Sequence, residues 1–363
     1  MDQARIPIRN LYFLLCYSWD QLEQGELVDV SKCPSDNLAD LFALVLCSGI
    51  NHLARRGLEQ GYQSLSDELA SPRSRIDTLQ SARRFLLAHG RAACTYDELT
   101  VDTLNNRILK STLGTLSQCS ELSPILRDRV MWTLRSLQKV EAINATAHDF
   151  RKVQLHGNTR FYRFLLNVCA LVFESALPEQ RGSGVRFRDF VRDERAMARV
   201  FEQFLFNFLA RELGGAAKVK RDRISWQATS DTDPGLSLLP SMNTDISVYS
   251  GRRRLVIDAK YYRSSLSSYR DASKLHSSNL YQLMSYLTNS PGTGVELSEG
   301  MLIYPRVDRT LRERYRILGH SVTVATVDLS AELGAIRSEI LDLVAPALAI
   351  ASPFAGVVDV SAN

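Results

Sequence analysis

Histidine is scarce and scattered in this chain: the six, at 52, 89, 148, 156, 276 and 320, never fall at the close spacing of paired metal ligands. A histidine metal centre or a Ser-His-Asp relay therefore has little to build on. Cysteine is equally thin, with six residues at 16, 33, 47, 94, 119 and 169 and neither a CxxC pair nor zinc-knuckle spacing. These read as reduced thiols, several on apolar helix faces, where a free thiol packs as a small hydrophobe. The longest apolar stretches, around 41–47 and 164–173, fall short of the roughly 20 residues that cross a bilayer, and Asn167 interrupts the second. Residues 1–7 lack the basic start of a secretory signal, and no apolar core or cleavage site follows, so the expected location is the cytoplasm with no membrane partner. What these absences leave for a catalytic metal is oxygen ligation.

The net charge of +4 is too mild to single out a nucleic-acid binder, but its distribution is uneven. Lys218, Lys220, Arg221 and Arg223 form one basic cluster, and Arg252, Arg253 and Arg254 another. Either alone reads as a solvated surface; together, beside the carboxylates described next, they make Lys218, Lys220, Arg221, Arg223, Arg252 and Arg253 candidates for DNA contact. A chain of 363 residues exceeds the roughly 250 to 300 at which one core stops growing, so two domains are expected.

Apolar and aromatic residues recur at helical spacing over 8–23, then over 37–56 with Asp36 as the expected cap and Gly57 as the stop. Short strands and loops fit 58–78, with its Gly, Ser and Pro punctuation. Helical spacing returns over 101–117, 123–140 and 159–177, and surface loops are expected around Gly157-Asn158 and over 178–184. A helix over 193–213 opens the second half, with strands over 242–249 and 254–262 after it. A serine-rich loop, a helix over 278–287, strands over 301–304 and 321–327, and a closing helix over 329–348 complete the pattern. Helix, strands, helix, strand in that order is an α/β layer.

Alternation in the segment from Asn243 to Tyr249 puts Asp245, Ser247 and Tyr249 on one face, and the same period puts Asp258 and Lys260 side by side. A tight turn at Gly251-Arg252 sets Asp245 opposite Asp258. Two carboxylates facing each other across strands are destabilising unless something neutralises them. A hard divalent cation does so, and Mg²⁺ takes one or two carboxylates while keeping other positions for water and phosphate oxygens. Such an ion acidifies water and polarises a scissile phosphate, with Lys260 orienting or deprotonating the attacking water or stabilising the transition state by its charge. The competing account is an exposed strand in which Asp and Lys fall together by chance. Glu202, on the preceding helix, could add a third carboxylate, and Gln282 and Tyr286, four apart on a later helix, could line the site. A lone helical glutamate is more often a surface residue, and an ordinary half-buried helix explains Gln282 and Tyr286 equally well.

Asp245, then Asp258-Ala259-Lys260, then Gln282-Leu283-Met284-Ser285-Tyr286 resembles the PD-(D/E)xK nuclease superfamily, with Thr244 where the name-giving proline would stand. The resemblance widens along the chain. Ile6-Pro7-Ile8-Arg9-Asn10-Leu11-Tyr12, Arg55-Arg56-Gly57-Leu58, Asn106-Arg107-Ile108-Leu109-Lys110-Ser111-Thr112, Asp258-Ala259-Lys260-Tyr261-Tyr262, Asn279-Leu280-Tyr281-Gln282-Leu283-Met284 and Leu302-Ile303-Tyr304-Pro305 are similar to the McrC family. These are nuclease subunits of modified-cytosine restriction systems. One local departure is Ser74, where the family often has glycine in an Arg-Gly-Arg-Ile turn.

The resemblance implies a mixed α/β chain with a partner-docking domain over 1–160 and a restriction-endonuclease-like domain over 161–363, a central mixed sheet flanked by helices. It implies a Mg²⁺-dependent endodeoxyribonuclease with Asp245, Asp258 and Lys260 as catalytic residues and both aspartates on the metal. Its partner would be a hexameric AAA+ GTPase of the McrB kind, whose GTP hydrolysis it stimulates, and its substrate double-stranded DNA with methylated or hydroxymethylated cytosine. GTP would belong to the partner, since this chain has no G-x-x-x-x-G-K-[ST] loop. Two other readings stay open: a free-standing repair or exonuclease-type nuclease of the same superfamily, and a non-catalytic activator of an AAA+ ring.

Overall fold

The computed structural model describes residues 6–155, 160–178, 184–187, 193–231, 235–262, 267–269, 272–289, 294–307 and 309–350. The expected loop at Gly157-Asn158 lies outside them, as does most of 178–184 and part of the serine-rich loop. In chain order the helices are α1 (Ile8–Ser18), α2 (Leu22–Gly25), α3 (Leu38–Arg56), α4 (Thr78–Arg83), α5 (Leu104–Ser117), α6 (Pro124–Ser136), α7 (Ala147–Lys152), α8 (Arg160–Ser175), α9 (Glu194–Glu212), α10 (Ser277–Thr288) and α11 (Leu333–Leu348). The strands are β1 (Gly61–Leu69), β2 (Arg75–Ile76), β3 (Ala92–Thr100), β4 (Ala176–Pro178), β5 (Val185–Phe187), β6 (Lys218–Lys220), β7 (Arg223–Ile224), β8 (Met242–Asn243), β9 (Ile246–Ser250), β10 (Arg253–Ala259), β11 (Ser267–Tyr269), β12 (Ala272–Lys274), β13 (Leu297–Pro305), β14 (Arg312–Ile317) and β15 (His320–Val327).

The chain packs as two compact units, Leu27–Arg188 and a second made of Met1–Glu26 with Asp189–Asn363. The division expected from sequence, 1–160 and 161–363, does not coincide with these units at either end. The first helix joins the later unit because its aromatic face is satisfied there. Tyr17 packs its ring against Phe204 and Phe208 of α9 with centroids 5.8 and 5.4 Å apart, and Phe13 lies 5.9 Å from Phe204. Tyr17 also donates its hydroxyl to Glu212 at 2.8 Å, and Asn207 donates to the Tyr17 carbonyl at 2.8 Å. A helix that carries that much aromatic surface must bury it against another element, and sequence adjacency does not choose which.

In the Leu27–Arg188 unit α3 is the core helix. It is long and apolar enough to cross a membrane by composition, but 72% of that stretch is buried within the protein. Its cap is Asn37, one residue later than expected, whose side chain accepts the Asp40 N–H at 2.7 Å. Asp36 precedes the helix, one position too early to reach that donor. Gly57, at φ +95°, ends it. A three-stranded antiparallel sheet runs β1-β3-β2. β3 was not anticipated: its outer half, Asp97 to Thr100, is exposed or half-exposed and its start is a run of buried residues, so no apolar alternation marks it. Ser74 adopts φ +58°, so the turn that favours glycine is kept with serine in the left-handed region.

The other unit is built on a six-stranded mixed sheet, ordered β14-β15-β13-β10-β9-β6, in which β13 runs parallel to both β10 and β15 and the remaining pairs are antiparallel. Val256, Leu302, Tyr304, Val322 and Val324 from one face pack with Leu283, Tyr286 and Leu287 of α10. Gly300 lets that helix approach, since a Cβ there would come 2.8 Å from Leu287 Cδ1. Helices α9 and α11 also pack on this sheet and contribute nothing to that cluster, so they cover the opposite face. The expected α/β layer is therefore present. The edge strand β14 was missed because five of its six residues are exposed and no apolar alternation marks it.

Candidate active site

The site grows out of the β9–β10 hairpin. Gly251, at φ +54°, makes its turn, and the ladder runs from Arg253↔Ser250 to Ile257↔Ile246, the register expected from sequence. The next pair outward is Asp245 and Asp258. There the ladder stops: Asp245 lies in the break between β8 and β9, and its Oδ2 accepts the Ala259 N–H at 3.0 Å. Asp258, the penultimate residue of β10, is fully buried among neighbours on the α10 face. Lys260 is fixed by its own N–H, which donates to the Ile303 carbonyl at 2.9 Å.

The structure thus brings the three predicted side chains together. The Lys260 ammonium lies 2.9 Å from each oxygen of Asp258, donating in hydrogen-bond geometry to Oδ1, and 3.9 Å from Asp245 Oδ2. Asp258 Oδ2 is buried and accepts no hydrogen bond. Burial pushes the Asp258 carboxyl up, to about 7; Lys260 opposes this and the Asp245 charge adds to it. Burial alone would lower the Lys260 ammonium, but the charges of Asp258 and Asp245 outweigh it and hold the amine protonated. Two carboxylates therefore share one ammonium, and Asp258 Oδ2 has that ion-pair contact but accepts no hydrogen bond. A hard divalent cation fits that donor set: it would neutralise the excess negative charge and take up the Oδ2 lone pairs that accept no hydrogen bond. Among the described residues no three His, Cys, Asp or Glu side chains converge on one point. A cation held here would take its protein ligands from Asp245 and Asp258.

Glu202 stands close enough to feel the Asp245 charge: burial first, then Asp245, raises its carboxyl above the usual range, with Arg221 opposing. Arg221 claims it, at 2.8 Å, and also donates to Gln203 Oε1 at 3.0 Å and to the Asp245 carbonyl at 3.2 Å. Gln282 donates to the Tyr286 hydroxyl at 2.7 Å, and Tyr286 is buried. The Tyr286 phenol is raised by burial and, less strongly, by the charges of Asp258 and Asp245, with Gln282 acting against both. Tyr286 therefore stands at the edge of the site, with Gln282 tied to it.

The basic residues divide. Arg221 reaches the site; Lys220 is held by Asp222 at 2.9 Å, and Arg254 is buried against the same carboxylate at 2.9 Å. Lys218 and Arg223 are exposed and Arg253 is half-buried. Arg252 pairs with Glu296 at the turn, about 20 Å along the strand from Asp258 by strand rise. Two groups went unread in the sequence. Asn279 donates to the Tyr304 hydroxyl at 3.0 Å and accepts from Tyr262 at 3.2 Å, a buried polar bridge on the floor of the α10 side. Asp222 accepts from Tyr249 at 2.6 Å as well as from its two cations, and its main chain holds Thr244. A buried asparagine amid apolar helix positions was the available signal for the first. No local pattern marks the second.

Set against known proteins, residues 3–305 match the family model described as "McrBC 5-methylcytosine restriction system component". The chain is 38% identical over 343 residues to the "Type IV methyl-directed restriction enzyme EcoKMcrBC" of Escherichia coli (strain K12), covering 94% of this chain and 98% of that protein. Its fold is similar, at a TM-score of 0.58 and 14% identity, to a chain in the refined half-complex from a tetradecameric assembly of Thermococcus gammatolerans McrB AAA+ hexamers with bound McrC, covering 93% of this chain and 76% of that one. With the family model spanning most of its length and a relative of that identity aligned nearly end to end, the chain belongs to the family of McrBC 5-methylcytosine restriction system components.

Proposed function

We propose that this chain is the DNA-cleaving subunit of a GTP-dependent restriction complex, a Mg²⁺-dependent endodeoxyribonuclease acting on DNA with methylated or hydroxymethylated cytosine. The observation that carries the reading is the shared Lys260: two carboxylates, one fully buried with an unbonded oxygen, around a single ammonium. Asp245 and Asp258 hold the cation. The chemistry such an ion supplies when bound is acidification of water and polarisation of a phosphoryl oxygen. Lys260, kept protonated by its two neighbours, places positive charge where negative charge builds on the phosphate. Tyr286 closes the α10 side, and exposed Lys218 and Arg223 supply backbone contacts that position the duplex without reading its sequence.

In this reading the N-terminal half, residues 1–160, docks on a hexameric AAA+ GTPase partner of the McrB kind and stimulates it, in the cytoplasm. GTP is bound by that partner. Relatives named for the McrBC system and for McrC bound to McrB hexamers support the pairing. The test is reconstitution with the partner, GTP, Mg²⁺ and modified DNA. Asp245→Ala, Asp258→Ala and Lys260→Ala each lower cleavage at least about a hundredfold while the partner's GTP hydrolysis is retained. Undiminished cleavage by Asp258→Ala overturns the assignment. Robust cutting by the isolated chain would instead favour the free-standing nuclease.

A further inference from the structure

Asp245 is the one member of the site whose main chain lies outside the ladder, although its Oδ2 accepts the Ala259 N–H of β10 at 3.0 Å. Asp258 is inside β10 and Lys260 is bonded to β13, but the β9 ladder begins only at Ile246. A ligand aimed from a break between strands needs some other constraint on its backbone, because a displacement of about 1 Å is enough to spoil a catalytic geometry.

Thr244 supplies one. It is 2% exposed, where valine would fill nearly the same space without burying a hydroxyl. The hydroxyl is fully used: Thr244 Oγ1 accepts the Asp222 N–H at 2.9 Å and shares a 3.0 Å hydrogen bond with Ser247 Oγ, itself fully buried. In return the Thr244 N–H donates to the Asp222 carbonyl at 2.9 Å. A proline at this position could make neither bond. Asp222 does not drift, because its carboxylate is gripped by Tyr249, Lys220 and Arg254. The adjacent Arg221 braces the other side of the same residue, donating to the Asp245 carbonyl while Glu202 and Gln203 anchor its guanidinium on α9 and the Phe206 ring lies under it at 4.7 Å. Glu202 then has a job, as anchor of the brace, that requires no contact with a metal.

We propose that Thr244, seated on the Asp222 main chain and on Ser247, is the positioning residue that aims Asp245 at the cation, with Arg221 as a second brace. Hydrogen bonds here do the work that a proline ring would do by fixing φ. The inference rests on the reading of Asp245 as a metal ligand.

The experiment uses the full chain and two readouts: the Mg²⁺ concentration for half-maximal cleavage in the reconstituted complex, and Mn²⁺ affinity of the chain alone from the spin-resonance signal of free Mn²⁺. Thr244→Val raises both constants about tenfold or more, the usual scale for groups that orient metal ligands, and Thr244→Ser, which keeps the hydroxyl, stays near wild type. Wild-type values in Thr244→Val overturn the proposal. So does a Thr244→Ser variant as impaired as the valine one, which would make packing the cause. Should Thr244→Val not fold, the exposed Arg221→Gln decides: it weakens Mn²⁺ binding severalfold, and unchanged binding overturns the positioning role. Asp245→Ala in the same assays separates the two readings. If it leaves both constants unchanged, the site itself is misassigned; if it abolishes binding while Thr244→Val does not, only the positioning fails.

Discussion

Replacing Asp222 with alanine should destabilise the unit that carries the site more than any of its exposed ion pairs could. Its carboxylate accepts from Tyr249 at 2.6 Å and lies 2.9 Å from both Lys220 and Arg254, and the Arg254 side chain is only 3% exposed. Removing one partner of a buried pair costs about 3–5 kcal/mol, chiefly because the other charge stays buried. Arg254→Met should cost less, about 1.5–3 kcal/mol, since Asp222 retains Tyr249 and Lys220 and loses one charge-assisted hydrogen bond. For a unit of this size the alanine variant lowers the midpoint of thermal unfolding by roughly 10 °C. Scanning calorimetry of the full chain is the suitable assay, because units that unfold separately appear as separate transitions. Acid sharpens the test. Burial pushes the Asp222 carboxyl up, but the hydrogen bonds from Tyr249, Lys220 and Ser247 and the charge of Arg254 outweigh it and hold the group below its usual range. A depressed carboxyl contributes stability that is complete above the unfolded value, about 4, and is lost as pH falls through the folded one. The gap between wild type and Asp222→Asn should therefore be full near neutral pH and shrink below about pH 4. A loss under about 1 kcal/mol for Asp222→Ala, or a gap that widens in acid, would refute the reasoning.

Other substitutions probe the packing around the site and the second unit. Gly300→Ala pushes a methyl against Leu287 and Leu283 and should cost about 1–3 kcal/mol, with weaker cleavage as α10 is displaced; an unchanged melting point would show that α10 has room to give. Phe204→Ala empties the centre of the α1–α9 aromatic cluster and should cost about 3–5 kcal/mol in chemical denaturation, a result near zero being incompatible with that helix belonging to the later unit. Ser74→Gly relieves a left-handed serine and should stabilise the Leu27–Arg188 unit by about 1 kcal/mol, visible as a raised melting point; a lowered one would mean that the serine side chain is used.

The legible parts of the site were those set by neighbours a few residues away. Alternation in β9 and β10 and a glycine at the turn set the register that brings Asp245 to the end of the ladder beside Asp258, because strand period and turn length fix the pairing from Ile246 to Ser250. The helix α9 was legible for a similar reason: Asp193 caps it and apolar residues follow at helical spacing. The exposed strand β14 and the outer half of β3 were not, since ladder partners rather than an apolar face define them.

Sequence alone therefore picked out three side chains that the fold brings together, their hairpin and the class of layer that carries them. Only the tertiary structure decided that Asp258 is fully buried with an oxygen that accepts no hydrogen bond, that Glu202 is paired with Arg221, and that the first helix belongs with a partner nearly two hundred residues later. Such choices depend on which surfaces meet after the chain has folded back on itself. Neither periodicity nor spacing carries information about that.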